Sequence, residues 1–129
     1  MDQFNKIEIQ GMVGAVRVTN FTDGSLANIS VATNYLHRTR DNQATVETTW
    51  FNVLGRIGRA IEKADSVAKG DAVHIIGRVR TKTFTDSEGN ERLLNDVIAS
   101  KIERIDTNTP FAIPLSPQYK IFILLLYQI

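Results

Sequence analysis

Residues 77–84 read Gly-Arg-Val-Arg-Thr-Lys-Thr-Phe. Side chains on a β-strand alternate between its two faces. In an extended conformation Arg78, Arg80, Lys82 and Phe84 therefore share one face, and Val79, Thr81 and Thr83 the other. A row of three cations suits a ribbon of phosphates, and an aromatic ring at its end offers a flat surface to a base. Cations beside aromatic platforms are what sequence-tolerant binding of single-stranded nucleic acid requires. The same row would also serve as a solvated strand edge that resists aggregation.

A second aromatic strengthens the first alternative. Around Trp50, the side chains of Thr48, Trp50 and Asn52 alternate with Thr49, Phe51 and Val53. Phe51 and Val53 make the natural core face, which leaves the only tryptophan of the chain among polar residues on the outer face. Just upstream, Tyr35, His37, Arg38 and Arg40 lie in a polar stretch that reads as a long exposed hairpin loop over 37–45, placed to close over a bound strand. Arg56 and Arg59 would extend the cationic track; as part of an ordinary wet surface they would look the same.

Catalytic chemistry finds little support. The two histidines, His37 and His74, have no carboxylates at ligand spacing, so no metal site is expected. Nothing in the residue order suggests a nucleophile triad. Gly55-Arg-Ile-Gly58 lacks the Gly-Lys-Ser/Thr ending of a phosphate loop. The expectation is a protein that is not an enzyme and needs no cofactor.

Elements that would position these residues can be read from the pattern. The chain of 129 residues has the size of one domain with a short appendage. With no cysteine it fits a reducing compartment, and the polar first six residues do not read as a secretory leader. Its formal net charge is +1, so attraction to a polyanion must come from local clustering. Ile7, Ile9 and residues 12–18 read as a first strand, with Gly11 and Gly14 marking a bulge or bend. Turn chemistry at 22–25 leads to a second strand over 26–34, and residues 46–54 form a third. Ile57, Ala60, Ile61, Ala64 and Val67 then follow helical spacing, which predicts an amphipathic helix stopped at Lys69-Gly70. A fourth strand carries the basic row, residues 86–90 turn, and a fifth strand runs over 92–105. Three strands, one helix and two strands predict an all-β, five-stranded OB-fold barrel with one helix between strands 3 and 4. Residues 1–106 make that domain, and 107–129 a short C-terminal extension.

With these elements in place, the chain resembles the bacterial-type single-stranded DNA-binding proteins. The resemblance rests on Asn5-Lys6-Ile7, on Ala27-Asn-Ile-Ser-Val-Ala-Thr33, on Thr49-Trp50, on Lys69-Gly70, and on Gly77-Arg-Val-Arg-Thr-Lys82 through Asp86 and Gly89. It covers about residues 5–105. It implies that Trp50 and Phe84 stack bases and that Arg78, Arg80, Lys82, Arg38, Arg40 and Arg56 meet phosphates. His37, or Tyr35 before it, would stand in for an aromatic of the second hairpin. Arg56 falls where the family has another stacking ring, and Phe51 where it often has histidine. The resemblance also implies a homotetramer built as a dimer of dimers, with Lys6, Ile7, Ile9 and Phe51 near subunit contacts.

The family's long tail with its acidic tip, which recruits replication and repair enzymes, has no counterpart here. Pro110, Pro114 and Pro117 lead instead to nine mostly apolar residues, 121–129, too few to cross a bilayer, which takes about 20. The function implied is binding and protection of single-stranded DNA, without strong sequence preference, in replication, recombination and repair. The expected location is the cytoplasm, at the nucleoid. The alternative is a primosome-type OB adaptor acting mainly through protein contacts. An oligosaccharide-binding OB domain is a third reading, which would make poor use of the cationic row.

Overall fold

The computed structural model describes residues 1–106; the extension 107–129, on which the readings of the prolines and the apolar end fall, lies outside the described residues. Five strands follow one another: β1 Ile7–Phe21, β2 Gly24–Arg38, β3 Ala44–Arg56, β4 Ala72–Thr85 and β5 Glu91–Arg104. They close into a barrel in the order β1-β2-β3-β5-β4. All pairings are antiparallel except β3 with β5, a parallel seam of two residue pairs, Val53 with Val97 and Leu54 with Ile98.

Closing a small barrel demands bends, and two bulges provide them. In β1 the partners step from Val13–Val31 to Ala15–Ser30, which leaves Gly14 as the extra residue. In β5 they step from Lys101 to Ala99, so Ser100 is extra, and its hydroxyl donates to the Ile76 carbonyl at 3.1 Å. Each bulge reverses the alternation of its strand. Val97 and Ile102 therefore both reach the core although one number is odd and the other even. The core itself is aliphatic: Ile29, Val31, Val53, Val73 and Ile75 are fully buried, joined by Ile9, Val13 and Val97.

The expected helix is not there: no helix occurs among the described residues, and 57–71 is a series of turns. The amides of Arg59, Ala60 and Ile61 all turn back onto the Arg56 carbonyl, but Gly58 sits at φ 92°, outside the right-handed helical region. The backbone bonds that a helix would make internally go to the strands instead. Ile57 donates to the Ser25 carbonyl (3.0 Å), and the Ala60 carbonyl accepts from Ile102 (2.8 Å). The apolar spacing has another cause: Ala60, Ile61 and Val67 plug one end of the barrel, while Ala64 is exposed. Gly70, expected to stop the helix, holds φ 92° in a turn whose Asp71 carboxylate accepts from the Ala68 amide (2.8 Å).

The long hairpin loop is also corrected. Strands β2 and β3 stay in register from Leu26–Arg56 out to Arg38–Ala44, so Tyr35, His37 and Arg38 are strand residues, and the connection is only 39–43. Thr, Val and Tyr in this stretch favour extended backbone and outweigh its polarity. Before β1, the Asn5 side-chain amide pairs with both backbone groups of Val79, donating to its carbonyl (2.7 Å) and accepting from its amide (3.0 Å). It thus continues the β1–β4 ladder one step beyond Ile7–Gly77.

Candidate nucleic-acid interface

The outward residues of β3, β4 and β5 meet over the parallel seam and form an open groove of about 950 Å³. Arg78, Arg80, Lys82 and Phe84 line it together from β4, as their alternation requires. Asn52, Leu54 and Arg56 come from β3, Leu94, Asp96 and Ile98 from β5, and Arg59 from the turn beyond β3. Five cations and one carboxylate thus share a single depression. Its floor is partly apolar, through Leu54, Leu94 and Ile98, which gives a base edge or sugar something to rest on. Phe84 is 39% exposed, so its ring is available at the surface.

Trp50 stands on the same face of β3, two residues before Asn52, and is 61% exposed. Its partner on β2 is Ala32, too small to cover it. The indole reaches across β2 to lie over Gly14 of β1. Trp50 thus adds an open aromatic surface beyond the groove residues.

Other expected residues are placed less favourably. Tyr35 and His37 stack on each other, with ring centroids 6.0 Å apart, but their positions alternate with Ala32 and so belong to the opposite face of β2 from Trp50. Arg38 shares the Trp50 face, and its guanidinium is bonded to the Asn42 side chain at 2.8 Å. Arg40 is exposed in the 39–43 turn. None of these four lines the groove. Of the residues expected near subunit contacts, Lys6 is exposed, while Ile7 and Phe51 are partly buried against the core. Ile9 is only 4% exposed; its side chain is a core residue and not available to a neighbour.

Among the groove residues not anticipated are Asn52 as a bonding group, Asp96, and the aliphatic Leu54, Leu94 and Ile98. Asp96 is 4% exposed and accepts from the Asn52 amide at 2.8 Å and from Arg80 Nη2 at 3.2 Å. Its pairing across from Arg80 in the β4–β5 register is the signal that would have found it. Farther along the same hairpin, Asp86 organises the turn after Phe84. Its carboxylate accepts from Arg92 Nε (3.0 Å) and from the amides of Asn90 and Glu88. The Arg92 bond foremost, then the backbone amides, hold its pKa below the ordinary 3.8. At the β1–β4 edge the His74 ring meets Glu8 at 2.6 Å and holds the Glu8 carboxyl below its ordinary value. Among the described residues no three His, Asp or Glu side chains gather as a metal site, and no helix is long and apolar enough to cross a membrane.

The closed five-stranded barrel with a cationic, aromatic-flanked groove defines an OB-type binding module. Residues 4–105 match the single-strand binding protein family, and the chain belongs to that family. It is 28% identical over 108 residues to single-stranded DNA-binding protein 1 of Xylella fastidiosa (strain 9a5c), covering 81% of this chain and 79% of that one. It is 30% identical to the single-stranded DNA-binding protein of Bacteroides thetaiotaomicron, covering 78% and 65%. For the protein of Xanthomonas axonopodis pv. citri the identity is 26%, and the match spans only 57% of that relative's length. Among solved structures, the Plasmodium falciparum SSB complex with ssDNA superimposes with a TM-score of 0.72 at 23% identity, over 82% of this chain and 98% of that one. That likeness bears on the fold.

Proposed function

We propose that this protein binds and shields single-stranded DNA without strong sequence preference, and does no chemistry on it. The observation that carries this reading is one groove holding Arg56, Arg59, Arg78 and Lys82 with Phe84 at its end, and Trp50 open on the same face of β3. The cations neutralise phosphates, and the rings take unpaired bases. Selectivity follows, because bases of a duplex are already stacked on one another and have no free face to offer. Arg38, with Arg40 at the tip of the β2–β3 hairpin, extends the track of positive charge; Tyr35 and His37 offer a secondary stacking surface on the hairpin's far side. Roles in replication, recombination and repair at the nucleoid are part of this reading, which membership of the family supports.

The assembly proposed is a homotetramer. Among the described residues, 7–10 of β1 are laddered to β4 alone, and a second copy would add to the edge facing away from β4. Lys6, Ile7 and Phe51 flank that edge or the core beneath it, and Ile9 contributes backbone only.

Titrating the fluorescence of Trp50 with oligo-dT and with a duplex of the same length, at two salt concentrations, tests the reading. Quenching by oligo-dT alone, weakened by salt, is expected. Equal response to both nucleic acids, or none to either, refutes it.

A further inference from the structure

Asp96 is the sole carboxylate among the described residues of the groove, and its position has a consequence for Arg80. Its side chain is 6% exposed, so it has lost most of its hydration and depends on the groups around it. Asn52 Nδ2 occupies one oxygen and Arg80 Nη2 the other. An arginine grips phosphate best through two parallel N–H groups on one edge of its planar fork. On Arg80 the Nε–Nη2 edge is not open for that grip: Nη2 is bonded to Asp96, and Nε is buried with no partner among the described residues. A phosphate approaching the guanidinium from another side would also approach a negative carboxylate.

We propose that Asp96 is a positioning residue that withdraws Arg80 from phosphate contact, so that the Arg80–Asp96 pair is electrically neutral toward DNA. This inference rests on the proposed single-strand binding. The groove then neutralises phosphates through Arg56, Arg59, Arg78 and Lys82, and Arg80 with Asn52 and Asp96 forms a fixed polar floor. The pair limits how strongly the groove responds to salt.

The slope of log affinity against log salt reads this directly, at about −0.7 per phosphate neutralised on a single strand. In Asp96→Asn the amide oxygen still accepts from Asn52, but Arg80 is released as an uncompensated cation. The slope should steepen by about 0.7, an extra ~2.6-fold loss of oligo-dT affinity between 50 and 200 mM salt. Replacing both partners, Arg80→Leu with Asp96→Leu, keeps the net charge, and exchange of a buried pair for apolar residues is commonly tolerated. Its slope should equal the wild-type slope. A merely structural Asp96 would give weaker binding in Asp96→Asn at every salt concentration with no steepening, which overturns the proposal. So does a double variant whose slope is shallower by about 0.7, since Arg80 would then be a phosphate contact. Failure of the wild type itself to bind oligo-dT sinks the proposed function and this inference together; a bound wild type with either contrary slope sinks this inference alone.

Discussion

The indole of Trp50 lies over Gly14, the extra residue of the β1 bulge. A Cβ at position 14 would come within 2.5 Å of Cζ3 and 2.8 Å of Cη2 of the ring. The bare glycine backbone lets the ring settle against β1 with one broad face toward solvent. One residue thus serves two purposes, bending the strand and making room for an aromatic two strands away.

Gly14→Ala should therefore disturb the ring and spare the fold. Gly14 is not among the glycines with positive φ, so alanine is compatible with its backbone, and the clash is with the outer end of a largely exposed side chain. The expected result is a shifted emission spectrum of the lone tryptophan, oligo-dT affinity between those of wild type and Trp50→Ala, and a nearly unchanged denaturation midpoint. A large loss of stability with unaltered emission would show that the ring does not need the glycine.

Stacking and charge should separate in the binding data. Trp50→Ala or Phe84→Ala should each weaken oligo-dT binding by about 1–3 kcal/mol, roughly 5- to 150-fold, at all salt concentrations and with little change of slope. Lys82→Ala should instead reduce the slope by about 0.7. Fluorescence anisotropy of a labelled oligo-dT over a salt series, which does not depend on the tryptophan, makes the comparison.

Acid should loosen the end of the β4–β5 hairpin. Asp86 has a folded-state pKa below its ordinary 3.8, chiefly through Arg92 and then the Asn90 and Glu88 amides. A carboxylate shifted down contributes stability that is fully present above its unfolded value and disappears as pH falls through the folded value. Amide NMR shifts of Glu88 and Asn90, followed downward from neutral pH, should titrate together with a midpoint below 3.8. Asp86→Asn should remove that transition; a midpoint at or above the ordinary value contradicts the assignment.

Gly58→Ala should destabilise the barrel by about 1 kcal/mol, because φ of 92° is costly for any residue with a Cβ. Alanine is the better helix former, so a rise in helical circular dichroism would mean that 57–71 has latent helical structure. No rise is expected, since the Ile57 amide and the Ala60 carbonyl are bonded to Ser25 and Ile102.

The succession of five strands, the alternation of Arg78, Arg80, Lys82 and Phe84, and the outward placement of Trp50 were legible because period two is strict where no bulge intervenes. The turn segment 57–71 was misread because burial of Ala60, Ile61 and Val67 at a barrel mouth imitates a helical stripe. A positive-φ glycine inside the stripe was the clue against it. Asp96 escaped notice for a related reason: the Ser100 bulge shifts the register of β5, so which of its residues face the groove depends on a cross-strand count and not on the strand's own pattern. His37 and Tyr35 show the limit of reading by position, since a register from Leu26–Arg56 to Arg38–Ala44 puts them on the far face.

The parallel seam of β3 and β5 contains two residue pairs, whereas β2 with β3 and β4 with β5 are joined by long antiparallel ladders. The seam is therefore the shortest closure of the barrel, and it runs beneath the groove at Leu54 and Ile98, while β1, laddered to both β2 and β4, ties the two hairpins together elsewhere. Where that seam ends the turn segment takes over as a latch: the Ile102 amide of β5 bonds the Ala60 carbonyl at 2.8 Å, so the segment after β3 helps keep the barrel shut beside the groove.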